Sequence, residues 1–351
     1  MPKALILTSF VGILGESSTG GVSRFLRNTA DALAAIGWET SILAPLGSPN
    51  LDGSTLFGVR GNLQPTSSAK TQGDFWPVVR GSGLSNACRQ AHQMQDQFDV
   101  ILNLNHDWLP YYLDGLFRTP FVHVPNLCFS DAATDDLIRE RAQASPAHVR
   151  FLSTFQRQIF KAGHSGLMPF GLRTSEYELG AGEGGYLAWA GRIAPEKGLE
   201  TAASWASACG LKLRVAGGVH DPMYWETICR EHLETIDYQG YLSDAELRKL
   251  FGDATALLQT QAFDEALGVI TIEALLCGAP VIAINRGANM ELITHGSNGF
   301  LVPQNASDND VAEVIKSVAG LSRSNCRASV AARFSIDAMA AGYHNWFATI
   351  G

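Results

Sequence analysis

Short apolar runs alternate with segments of helical period along most of this chain, and the alternation occurs twice. Ala4 to Ser9 is one such run. Val22, Phe25, Leu26, Ala30, Leu33 and Ile36 then recur at helical spacing as far as Gly37, and Thr40 to Ala44 gives the next run. Strand, helix, strand in that order requires a parallel sheet with a right-handed crossover. Val100 to Leu104 and Phe121 to Val124 read as further buried strands. A helix-like stretch near Asp135 to Ala142 follows. Residues 47 to 83 are rich in Gly, Ser, Pro and Asn and read as a loop-rich insertion able to line an acceptor site.

The alternation restarts after LMPFGLRTSEYELGAGEGG (167–185), whose Pro and Gly content marks a domain linker. Strands are expected at Tyr186 to Ala190, Leu211 to Ala216, Ile236 to Gln239, Ala256 to Thr260 and Pro280 to Ile284. Helices are expected from Leu199, around Pro222 to Leu233, behind a Ser243/Glu246 capping box, and over Val269 to Leu276. With 351 residues, two α/β domains are expected, 1–167 and 168–335. The terminal helix, 336–351, is periodic, but periodicity does not say which domain it joins; packing back on the first is one option.

Composition narrows the class. Hydrophobic residues make up 46% and charged residues 17%, which suits globular domains. The net charge of −8 leaves neither half basic, which argues against nucleic acid and anionic membranes as partners. No apolar run reaches membrane-spanning length, and the six scattered cysteines suit a reducing compartment, so a cytoplasmic location is expected.

Two segments carry chemistry. In EALGVITIEALLCGAPVIA (265–283), Glu265 precedes a helix that begins after Gly268, and Glu273 falls in its second turn. Amides at such a helix start bind anions, a carboxylate within the helix can accept both ribose hydroxyls, and one before it can accept those of a sugar. Glu273 lies among Ile272, Ala274, Leu275 and Leu276, where an acid needs a partner. In GRIAPEKG (191–198), Arg192 and Lys197 leave a strand end on a short loop and can stabilise a departing diphosphate. Asp308-Asn309-Asp310 has the D-x-D spacing of a metal-binding string but opens a helix, so capping explains it and no metal is expected. No G-x-G-x-x-G follows the first strand, which argues against a dinucleotide-dependent oxidoreductase.

From Tyr186 to Pro303 the chain resembles the retaining glycosyltransferases of family four. Glu265 and Glu273 match that family's E-x7-E motif, Gly191, Arg192, Lys197 and Gly198 its G-R-x-x-x-x-K-G element, and Glu273 to Val281 its E-A-x-x-x-G-x-P-V run. The loop departs from the pattern: QTQAFDEALG (259–268) lacks the usual Pro-Ser and has Leu267 where the family has Phe. The resemblance implies a GT-B fold, with two Rossmann-like domains facing across a cleft. It also implies a metal-independent enzyme that needs no cofactor and uses a UDP-sugar as substrate. Donor contacts are implied for Leu267, Gly268 and Val269, for Tyr241 and Leu242 at the nucleobase, and for Gly20 and Gly21 in a glycine loop ahead of a helix near Val22. His106 is similar to the family's histidine over the donor sugar. Asn126 stands where a histidine is common, which leaves open whether it touches the sugar.

In GGVSRF (20–25), NLNHDWLPYYL (103–113) and GRIAPEKGLE (191–200), the chain is similar to bacterial enzymes that glucosylate reduced pterins. The expectation is therefore transfer of a hexose, glucose first, to a small soluble hydroxyl acceptor. Phe75, Trp76 and Trp108 are candidates to stack on a flat acceptor. Two alternatives stay open: a non-catalytic sugar-nucleotide-binding protein, and a glycosyltransferase acting on a carbohydrate or lipid.

Overall fold

A computed structural model describes residues 1–15, 20–65, 79–129 and 131–350. The chain divides into one unit made of Met1–Leu172 with Ser335–Gly351 and a second made of Arg173–Phe334.

In the first unit, β1 (Lys3–Leu7), α1 (Gly20–Ala35), β2 (Glu39–Pro45), β3 (Ser54–Val59), α2 (Gly83–Met94), β4 (Val100–Asn103), α3 (Trp108–Leu113), β5 (Phe121–His123) and α4 (Ala132–Ala144) are followed by β6 (Arg150–Phe151), α5 (Thr154–Ile159) and β7 (Gly166–Leu167). The parallel sheet has the order β3-β2-β1-β4-β5. Four residues of β1 and all of β4 and β5 are buried, as expected for strands covered on both faces. Leu84, Ala87, Cys88 and Ala91 repeat at helical spacing and place α2 on Leu5, Leu7, Ile101 and Phe121.

The segment 47–83, read from sequence as loop, contains β3. That strand pairs in parallel with β2 from Thr40↔Ser54 to Pro45↔Val59. It is an edge strand with only Val59 fully buried, so it lacks the apolar run that marks the interior strands. Phe75 and Trp76 lie outside the described residues.

In the second unit, β8 (Tyr186–Ala190), α6 (Leu199–Ala208), β9 (Lys212–Ala216), α7 (Pro222–Glu231), β10 (Ile236–Gly240), α8 (Asp244–Asp253), β11 (Ala256–Gln259), α9 (Val269–Leu276), β12 (Val281–Ile284), α10 (Asn289–Leu292), β13 (Gly299–Val302), α11 (Asp308–Ser317) and α12 (Arg323–Ala331) follow in order. The six parallel strands run β10-β9-β8-β11-β12-β13, an order that reverses between β8 and β11. The capping box at α8 forms, with the Ser243 and Glu246 side chains each accepting the other's backbone N–H. Ser307 caps α11 by accepting from Asp310 N at 3.2 Å, and Asp308 accepts from Ser204, so the D-x-D string serves a helix start.

The segment read as a linker is mostly bonded into this unit. Gly180 N donates to Cys277 O at 3.0 Å, Gly182 N to Gly252 O at 3.0 Å and Gly184 N to Asp253 O at 2.8 Å. A Cβ on Gly180 would stand 2.1 Å from Gly252 O, so glycine here permits close backbone approach, not looseness. Arg323 Nε donates to Gly180 O at 2.6 Å, and Arg327 Nη2 donates to Thr174 O at 3.1 Å.

The terminal helix α13 (Ile336–Phe347) belongs to the first unit. Its Met339, Tyr343, Trp346 and Phe347 are buried, Tyr343 shares a hydrogen bond with Thr29 of α1 at 3.4 Å, and Phe347 meets Trp38 at 4.7 Å between ring centroids. Each such buried side chain contributes about 1.5–3 kcal/mol, which makes the helix a fixed part of that unit's core.

Candidate functional site

Where strand order reverses in an open α/β sheet, the chains leaving the two central strands diverge and open a crevice at their carboxyl ends. In the second unit those strands are β8 and β11. Gly191 and Arg192 follow β8, and the loop 260–268 follows β11. Gly217, with φ of +140°, allows the close approach at this edge: a Cβ there would lie 1.9 Å from Gly191 O. Gly198 has φ of +67°, and a Cβ would lie 2.1 Å from Thr260 O. Thr260 Oγ1 donates to Gly198 O at 2.7 Å, while Trp189 Nε1 donates to Thr260 Oγ1 at 3.3 Å. The two loops are thereby held as one edge.

Lys197 and Glu265 meet at this edge. Lys197 Nζ lies 2.8 Å from Glu265 Oε1, with about a quarter of each side chain exposed (21% and 27%), and 4.5 Å from the centroid of Phe263. From sequence these residues were read as facing different parts of a ligand, and the structure pairs them with each other. Arg192 Nη2 lies 3.1 Å from Glu196 Oε1. The two cations therefore stand on one loop, each paired with a carboxylate.

Glu273 is buried at 3% exposure on α9. Its Oε1 accepts from Tyr177 OH at 2.7 Å, which supplies a partner for an acid in an apolar helix. Burial, reinforced by the negative charge of Glu273, pushes the Cys277 thiol up to about 12, so it stays protonated. Gly268 precedes α9 with φ of +82°, and no side chain caps the helix. Such a start directs backbone N–H groups and the positive end of the dipole at an incoming anion. Leu267 is buried and Val269 half-buried beside it. At the end of β10, Tyr241 is exposed and Leu242 half-buried.

In the first unit, His106 follows β4, half-buried, and Asp107 caps α3 by accepting from Leu109 N at 3.1 Å. Trp108 opens α3 and packs on Tyr112 at 5.8 Å. Asn126 Nδ2 donates to Leu104 O at 3.3 Å, tying the segment after β5 to the end of β4. Gly20 and Gly21 were expected in a loop before a helix starting near Val22, but both lie within α1. A Cβ on Gly21 would meet nothing within 4 Å, so close packing does not require glycine there.

Several residues at the edge escaped the sequence reading. Arg286 follows β12 and donates from Nε to Asp264 Oδ1 at 3.1 Å and from Nη1 to Ala262 O at 2.6 Å. Gly287 has φ of +59°, and Ala288 N donates to Glu265 O at 3.1 Å. A cation and a glycine directly after a buried strand were the available signal, the same one that marked Arg192. Tyr177 carried no local signal, since its partner is 96 residues away.

Residues 179–333, nearly the whole of the second unit, match the family model "Glycosyl transferases group 1". This segment is similar to group 1 glycosyltransferase domains. Within it lie Arg192, Lys197, Glu265 and Glu273. Curated relatives match shorter stretches: a sucrose synthase of Solanum tuberosum is 37% identical over 59 residues, and an uncharacterised glycosyltransferase of Methanocaldococcus jannaschii is 30% identical over 97. These matches cover 17% and 27% of this chain, and 7% and 25% of the respective relatives. Solved structures align over the full length. A sucrose-phosphate synthase of Thermosynechococcus elongatus superposes with a TM-score of 0.78 at 18% identity, covering 99% of each chain. HepE of Anabaena in complex with UDP and glucose gives 0.73 at 15% identity, covering 99% of this chain and all of that one. At such identities the likeness concerns the fold, which is α/β of the GT-B type. Among the described residues no helix is long and apolar enough to cross a membrane.

Proposed function

We propose that this protein transfers a hexose, glucose in the first instance, from a UDP-sugar to a hydroxyl of a small soluble acceptor, with retention of anomeric configuration and without a metal ion. The observation that carries this reading is the edge of the second unit: the Lys197–Glu265 pair and the loop of Arg192 at the crevice between β8 and β11, with Glu273 on α9 behind an uncapped helix start. Glu273 reads the ribose, Glu265 and the Leu267–Gly268–Val269 turn read the hexose and diphosphate, and Tyr241 with Leu242 flanks the base. The solved complex of HepE with UDP and glucose, a neighbour in fold, supports a nucleotide-sugar donor.

Transfer breaks the bond from anomeric carbon to diphosphate oxygen and forms one from that carbon to the acceptor oxygen on the same face. The acceptor proton passes to a donor phosphate oxygen, and UDP leaves. Arg192, Lys197 and the amides at the start of α9 offset the charge that develops on the leaving oxygens, an effect strongest where donors are fixed beforehand. A reduced pterin is the first acceptor to test. In the first unit Trp108 and Asn126, after β4 and β5, are the proposed acceptor contacts, and His106, after β4, is the proposed catalytic histidine.

The test is a UDP-release screen across UDP-hexoses and small acceptors, with product mass and anomeric coupling measured by NMR. UDP release with an α-linked product from an α-linked donor is expected. Tight UDP-sugar binding without turnover on any acceptor would replace the enzyme with a binding protein, and an inverted product would remove the retaining mechanism.

A further inference from the structure

Two adjacent acids, Asp264 and Glu265, lie at the candidate site, and each engages a different cation. Glu265 takes Lys197 at 2.8 Å, and Asp264 takes Arg286 at 3.1 Å. Arg286 also holds Ala262 O at 2.6 Å, so one guanidinium spans the loop two positions before and at the residue preceding Glu265. The following turn completes the grip. Ala288 N donates to Glu265 O, and Gly287 approaches so closely that a Cβ would stand 2.8 Å from Glu265 N. Ala262 N in turn donates to Glu196 O at 2.9 Å, on the loop that carries Lys197.

We propose that Arg286 is a positioning residue: by engaging Asp264 it keeps the wrong carboxylate away from Lys197 and fixes Glu265 for reading the donor hexose. The physical reason is competition. A lysine ammonium is a mobile point charge without a preferred plane, so it discriminates poorly between neighbouring carboxylates. The guanidinium fork instead holds an oxygen of Asp264 and the Ala262 carbonyl in one fixed geometry. Without Arg286, Asp264 is released and both acids face the same ammonium. The loop 259–268 is also where the chain departs from the motif pattern it otherwise resembles, with Leu267 before Gly268.

The inference rests on the proposed UDP-sugar activity, and the experiment separates the two. Binding of UDP and of UDP-glucose is measured by calorimetry, with turnover, for the wild type, R286A, R286K, D264N and the double variant R286A/D264N. R286A should raise the KM for UDP-glucose about tenfold while leaving the affinity for UDP within about twofold, because the ribose is read elsewhere. R286K should fall between. The double variant should recover part of the loss, since removing the charge of Asp264 ends the competition for Lys197; a loop that had merely lost rigidity gains nothing from the second change. Unchanged kinetics in R286A, an equal loss for UDP and UDP-glucose, or a double variant no better than R286A each overturns the clamp. If R286A does not fold, R286K against R286K/D264N makes the same comparison. A wild type that binds no UDP-sugar removes the functional reading, and the assigned role of Arg286 with it.

Discussion

Tyr177 donates its phenolic hydrogen to Glu273 Oε1 at 2.7 Å across 96 residues of sequence. Tyr177 is buried and lies in the glycine-rich stretch that opens the second unit, while Glu273 projects from α9. A buried carboxylate held by a hydroxyl keeps one orientation, which is what the proposed acceptance of two ribose hydroxyls needs. Tyr177→Phe keeps the ring over Arg248 and deletes the bond to Glu273. A hydrogen bond to a charged group contributes about 1.5–3 kcal/mol. UDP binding by calorimetry is expected to weaken by about tenfold or more, and an unchanged Kd would show that the bond does not serve binding.

Lys197→Ala is expected to separate stability from activity. Its pair with Glu265 is about a quarter exposed, so the change in unfolding free energy should be no more than about 1 kcal/mol. If Lys197 stabilises the leaving diphosphate, kcat should fall by about a hundredfold or more. Denaturant unfolding alongside UDP-release rates reads both. Equal, small effects on the two would leave Lys197 as a surface partner of Glu265.

Gly198→Ala places a Cβ 2.1 Å from Thr260 O on a residue with φ of +67°. Strained backbone and overpacking each cost about 1–3 kcal/mol, so the urea midpoint should drop sharply. Gly21→Ala, with nothing within 4 Å of the new methyl, should leave the midpoint near the wild-type value or raise it.

His123 makes one part of the stability pH-dependent. Burial lowers its pKa below the ordinary 6.5, outweighing the nearby Asp114, while Arg141 and His148 push it down further. The unfolded chain therefore takes up a proton near pH 6.5 that the folded protein resists. Stability is held above that pH, declines as pH falls below it, and levels off under the folded pKa. The Asn103 amide within 3.0 Å of His123 Nδ1 is part of the same buried network. His123→Gln should flatten the decline between pH 7 and about 5 relative to the wild type, as followed by urea midpoints. An identical slope in both proteins would assign the acid sensitivity to other groups.

How much of this was legible in the sequence differs by element, and the difference has a physical cause. Val269–Leu276, Tyr186–Ala190 and the capping box at Ser243 were read from neighbours within one or two turns, because periodicity, small residues and caps act over that distance. β3 was missed because an edge strand needs no apolar run; the stretch 167–185 does hold the boundary between the two units, after Leu172, but glycine marks close packing as well as flexibility, and the glycines from Gly180 on serve packing. At the site, the sequence determined which groups leave the strand ends, Arg192, Lys197 and Glu265, and that Glu273 follows in the second turn of a helix. Only the tertiary structure decided their partners. Lys197 with Glu265, Asp264 with Arg286 and Glu273 with Tyr177 join residues 68, 22 and 96 positions apart. No local pattern encodes such contacts; they form only once the parallel strands and their crossover helices bring distant segments together.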